Sequence, residues 1–218
     1  MAFAPALRKF TFTTHVTSSV GWVGAALVFL ALAAIGISSQ DEKTVRGAYL
    51  VMAPAGWFVL VPLAHASLVS GIALSLGTPW GLIRHYWVVF KLVITLFSTA
   101  ILLIYMGTFR QMAGVAADPV ADLGLVRNPS PLVHSILALV LLIAATLLAI
   151  YKPFGMTPYG ERLLCRVQSA QALPSSAPRP QVVGARTRGW EAALWIAGLT
   201  ILALVVVSHL MGSGMHDR

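Results

Sequence analysis

A helix needs about 20 consecutive apolar residues to cross the hydrocarbon core of a bilayer. This 218-residue sequence offers five such stretches, at 16–37, 48–76, 86–106, 131–151 and 190–211. The runs are continuous and rich in Ala and Leu, without the period-2 alternation of a membrane β-strand. No aspartate or glutamate interrupts them, apart from Glu191 at the edge of the fifth. Only 10% of the residues are charged and 58% are hydrophobic. A soluble domain carries roughly 25% charged residues, so a chain this apolar cannot cover a water-facing surface. The single cysteine, Cys165, excludes a disulfide scaffold.

The expected fold class is therefore all-α: a polytopic membrane protein with five transmembrane helices, four in a bundle and the fifth peripheral. Residues 1–151 form the four-span bundle. Residues 152–189 form a basic cytoplasmic loop containing a Pro/Ser linker, and 190–218 hold the fifth span and a short outer tail. The polar run 11–15 extends the first helix. The second stretch is overlong and is interrupted by Pro54 and Pro62. The first apolar run is longer than the roughly 7–15 residues of a signal-peptide core, so we read it as a span that is kept.

The basic residues set the orientation. With five spans, ten of them fall on the N-terminal face and five on the other, against two and five acidic residues. The whole net charge of +8 thus lies on one side. The N-terminus is placed in the cytoplasm and the C-terminus outside, in a bacterial inner membrane. Positive-inside bias and anionic lipid headgroups account for the charge, so no nucleic acid is expected among the partners. The expected partners are the lipid bilayer, a membrane redox partner or the subunits of a complex, and a second copy of the chain.

A span interior without carboxylates argues against a proton- or sodium-coupled carrier. Lys91 is the one intramembrane charge. Its stem is long enough to snorkel to the cytoplasmic interface. In the sharper reading it pairs, with Arg84, to an anionic ligand or a cofactor propionate. Gly-x-Ser-x-Gly, His-Glu-x-x-His, Walker A and Cys-x-x-Cys are all absent. Nothing marks the chain as an enzyme.

Histidines are uncommon in spans and call for a reason. His15 and His85 sit at the cytoplasmic edge, and His134 and His209 lie about one turn from the outer face. His65 lies about 15 Å into the second span, at 1.5 Å per residue. Neutral imidazoles at matched depth can ligate a haem iron. His134 with His209, or His15 with His65, are the candidate pairs for haem b, with Arg84 and Lys91 facing its propionates. Packing is the competing reading, in which Ser19, Ser67 or Ser70 satisfies the His65 ring. The outer tail mixes imidazole and thioether groups, His209, Met211, Met215 and His216, a donor set suited to copper. Thr17, Gly21 and Ala25 on the first span, and Ser67, Gly71 and Ser75 on the second, form small-residue stripes that let helices approach closely.

Trp80-Gly81-Leu82, Tyr86-Trp87-Val88 and Lys91, within residues 77–92, carry a resemblance. So do Leu7-Arg8-Lys9, His15, Gly21-Trp22-Val23-Gly24 and Tyr151-Lys152-Pro153. The chain resembles, over roughly residues 7–160, the DUF2269-type family of uncharacterised bacterial integral membrane proteins. That resemblance implies a multi-span inner-membrane protein and no particular activity. A histidine followed by Trp-x-Gly is also similar to CopD-like and HemJ-like membrane proteins, which would make His15 a ligand. Three functions stay open on this reading: a b-type-cytochrome-like electron carrier, a non-catalytic subunit or scaffold of a larger complex, and a copper-handling protein.

Overall fold

The structure is a computed structural model that describes residues 3–153 and 155–171. The described residues are mostly helical, with short connections and no strand among them. Four of its helical segments are long and apolar enough to cross a membrane. The fifth stretch, 190–211, and the outer tail lie outside the described residues.

Helix α1 runs Pro5–Ser38, with its proline in the first turn, where the missing N–H costs nothing. The polar run at 11–15 lies inside it, as expected. Helix α2 (Glu42–Ala55) starts at Asp41, whose carboxylate accepts a bond from Thr44 N at 3.0 Å. The two prolines of the second stretch do not end the helix. A π turn, Gly56–Leu60, follows Pro54 and leads straight into α3 (Val61–Gly77), where Pro62 sits in the first turn. Widening the turn absorbs the N–H groups the prolines lack. Helix α4 is Tyr86–Ala117 and α5 is Ser130–Tyr151.

The chain runs up and down. Helix α1 packs on α2–α3 and on α5, and α4 packs on the same two from the opposite side. The helices thus form a four-cornered bundle with α1 and α4 on the diagonal. One end carries residues 3–10, the 78–85 loop and the start of 152–171. The other carries the 39–41 turn and the 118–129 connection. Among the described residues the first end holds six basic side chains and one acidic, and the second, with the adjoining parts of its helices, holds four of each.

The buried stripe of α1 reads Thr11, His15, Ser18, Trp22, Ala26, Phe29, Ala33, Gly36. Its spacing of three and four is the helical repeat of one face. Its chemistry changes along the way: polar for about two turns, apolar after. The facing helices match it. Ser67 and Ser70 on α3, and Thr95, Ser98 and Thr99 on α4, are buried in the basic half. Tyr49, Met52, Met106 and Phe109 fill the other half. The outside is apolar, with Phe58, Val69, Leu96 and Ile104 all more than half exposed.

Two close approaches need glycine. A Cβ on Gly56 would come within 2.7 Å of Met106 Sδ, which lets the π turn lie against α4. A Cβ on Gly71 would reach 3.0 Å from the His15 ring.

The 152–171 segment is not all loop. Lys152 leaves α5 in the left-handed region, with φ of 44°. After a short turn, α6 runs Pro158–Gln171. Thr157 fastens its start to the 78–85 loop: its N–H donates to Arg84 O at 2.9 Å and its hydroxyl to Ile83 O at 2.7 Å. Lys152 Nζ lies 4.7 Å from the Trp80 ring centre, a cation–π contact.

Candidate functional site

The polar half of the bundle converges on His15. Its Nδ1 lies 3.0 Å from Ser67 O and 3.1 Å from Ser70 Oγ. A carbonyl oxygen only accepts, so Nδ1 carries the hydrogen and donates. That tautomer leaves a lone pair on Nε2. Lys91 Nζ stands 2.9 Å from Nε2 and donates to it. A long side chain from α4 thus reaches the ring on the diagonally opposite helix. Gly71 supplies the room, since any Cβ there would press on the imidazole.

Hydroxyls close the shell. Ser19 Oγ bonds to Ser67 Oγ at 2.8 Å, and Ser18 Oγ donates to His15 O at 3.2 Å. Thr95 Oγ1 donates to Lys91 O at 2.7 Å, and Thr99 repeats the pattern one turn on, to Thr95 O at 2.8 Å. His15 is 9% exposed. Two full positive charges 2.9 Å apart in such a setting would repel by many kcal/mol, so the pair holds one at most. No carboxylate among the described residues approaches it; the ion pair found there is Arg46 with Glu42, at the other end.

The expected ligand residues fall in different places. His15 and Lys91 come together. Lys91 does not snorkel: its amine is turned into the bundle. Arg84 is not beside it, and donates instead from Nη1 to Pro79 O at 3.3 Å within its own loop. His65 is on the exposed face of α3, with Nδ1 donating to Val61 O at 2.8 Å. The three serines considered for His65 gather around His15 instead. His134 donates from Nδ1 to Ser130 O at 2.9 Å, and its ring stacks on Tyr105 with centroids 4.2 Å apart. His209, Met211, Met215 and His216 lie outside the described residues.

His134 borders a cavity of about 70 Å³ lined by Trp22, Phe29, Ser98, Tyr105 and Phe109 among others. Ser98 Oγ faces it without a hydrogen-bond partner. A benzene ring needs a cavity of about 150 Å³, so this one does not fit a haem. At His15 an iron would have to displace Lys91 from Nε2. Among the described residues no three His, Cys, Asp or Glu side chains cluster as metal ligands would. The chain matches no family model, no curated protein and no solved structure.

Sequence reasoning named both members of the central pair but not their meeting. The signal was present in part: His15, Ser18 and Trp22 follow one helical face, as do Ser67, Ser70 and Gly71 within a turn. Periodicity gives the face and not the neighbour.

Proposed function

We propose that this chain is an integral protein of the bacterial inner membrane, with its basic end in the cytoplasm, and that the His15–Lys91 pair is its binding centre. The pair takes the anionic group, a carboxylate or a phosphate, of an amphiphilic molecule entering from the cytoplasmic leaflet. The observation that carries the reading is the 2.9 Å contact between Lys91 Nζ and His15 Nε2 inside a bundle whose described spans hold no acid but Glu42, at the opposite end.

A buried ammonium needs a counter-charge, and the cost of leaving one out falls with an anion beside it. Here its partner is a neutral ring, which satisfies a hydrogen bond and leaves the charge. Lys91 is half-buried, so its remaining N–H groups are within reach of a ligand. It lies about one and a half turns into α4, the depth at which a lipid-like molecule carries its acidic head. The serine hydroxyls add neutral donors beside the cation.

Native mass spectrometry of protein released gently from its own membrane tests this. The wild type retains an acidic amphiphile, K91R keeps it and K91Q loses it. Equal retention by the wild type and K91Q would overturn the reading.

A further inference from the structure

Helix α6 leaves the bundle at its cytoplasmic end and has two unlike faces. Tyr159, Leu163 and Val167 fall on one side by helical spacing, with Leu164 flanking them. Glu161, Cys165 and Gln168 fall opposite, and Arg162 and Arg166 lie one turn apart along the border between the faces. Tyr159, Leu164 and Val167 are 53%, 44% and 46% exposed. The first turn is fixed. Gly160 sits so close to the Arg84 backbone that a Cβ would come within 2.5 Å of its carbonyl oxygen, and Thr157 is bonded to the same loop. Beyond that turn Leu164 and Val167 stay exposed among the described residues.

We infer that α6 is an interfacial anchor, lying in the cytoplasmic leaflet with its apolar face in the acyl boundary and Arg162 and Arg166 on anionic lipid headgroups. A strongly two-faced helix with basic residues at the border is the form such anchors take. The partner follows from the charge. This end of the molecule carries six basic side chains, Lys91 inside the bundle left aside, to one acid among the described residues, and a surface of anionic phospholipid complements it. The Arg stems can lie along the apolar boundary while their heads reach the phosphates. The helix starts where Thr157 ties it to the mouth of the bundle, so leaflet binding would hold the 78–85 loop and, through it, the start of α4 that carries Lys91.

This inference rests on the spanning reading, and the experiment separates the two. Cys165 is the chain's single cysteine and takes a nitroxide label on the polar face. V167C in a C165S background puts the label on the apolar face, since residues two apart point to opposite sides of a helix. L96C in the same background labels an exposed site midway along α4. Full-length protein goes into vesicles of phosphatidylcholine with or without phosphatidylglycerol. Relaxation by dissolved oxygen is compared with relaxation by a water-soluble nickel chelate.

The expected result is oxygen-dominated relaxation at 167 and nickel-dominated relaxation at 165. The contrast deepens with phosphatidylglycerol, and R162Q/R166Q removes that deepening. A 167 label open to nickel in both vesicles overturns the inference while L96C stays oxygen-dominated and the spans stand. A 167 label shielded from both reagents overturns it too, because protein then covers the face. Nickel-dominated relaxation at 96 removes the spanning reading, and the anchor with it.

Discussion

Lys91 Nζ on α4 stands 2.9 Å from Nε2 of His15 on α1, so one side chain ties the diagonal of the bundle. Each partner satisfies the other. Replacing Lys91 by Met, or His15 by Leu, leaves a buried polar atom unpaired, at about 1–3 kcal/mol each. The double variant should lose less than the sum, with a coupling of about 0.5–3 kcal/mol. Thermal unfolding in detergent measures the cycle, and additive losses would contradict the contact.

Gly71 and Gly24 should respond oppositely to alanine. A Cβ at 71 presses on the His15 ring, whereas nothing lies within 4 Å of one at 24. G71A should weaken retention of the acidic ligand and lower the melting temperature. G24A should raise stability by about 0.5–1 kcal/mol, because alanine costs less than glycine in a helix. Both effects are read in the melting and mass-spectrometry assays.

Arg46 holds the opposite end together. Its guanidinium donates to Asp118 O at 2.6 Å, Ala121 O at 3.0 Å and Ala116 O at 3.3 Å, and pairs with Glu42 at 2.7 Å. Ala116 O and Asp118 O are carbonyls at the end of α4, which a helix cannot satisfy internally, and Ala121 O belongs to the connection that follows. R46A should destabilise by about 1.5–3 kcal/mol. R46K should recover only part, since one ammonium cannot span the fan of carbonyls. The ligand should be retained in both, because the site is at the far end.

Asp41 sits below the ordinary carboxylate range because the Thr44 hydroxyl and N–H both donate to it. A depressed value means the ionised form stabilises the fold. Its contribution is present above the unfolded-state value and fades as pH falls through the folded one. The wild type should therefore melt above D41A at neutral pH, with the gap closing below pH about 4. A gap unchanged down to strong acid would show that the cap works without its charge.

The helices were legible because long continuous apolar runs without alternation suit a backbone that bonds to itself, and the runs show where. Four of the five expected stretches are long apolar helices among the described residues, and the fifth lies outside them; α1 starts before its apolar run, and Thr11 and His15 pack inward. Pro54 and Pro62 read as breaks, and the π turn between them depends on α4 filling the space at Gly56, which no local pattern reveals. Helix α6 was taken as loop because its flanking Pro and Gly outweighed the spacing of Tyr159, Leu163 and Val167. The site was half legible. Lys91 stood out as a costly charge in a span and His15 as a histidine at the edge of one. Their pairing needs helix order, which sequence spacing does not contain. His65 looked the most buried by its position along the span, yet it faces outward, since depth in a membrane and depth in a bundle are different things.

The most direct measurement is a titration followed by nitrogen-15 NMR of protein labelled at histidine and lysine in lipid nanodiscs. Decanoate and decyl phosphate supply the acidic head, and decanol serves as the neutral control. The account predicts that the His15 Nε2 and Lys91 Nζ signals move together and saturate with either anion, stay still with decanol, and that K91Q abolishes the His15 response. Signals unmoved by both anions, or moved equally by decanol, would contradict it.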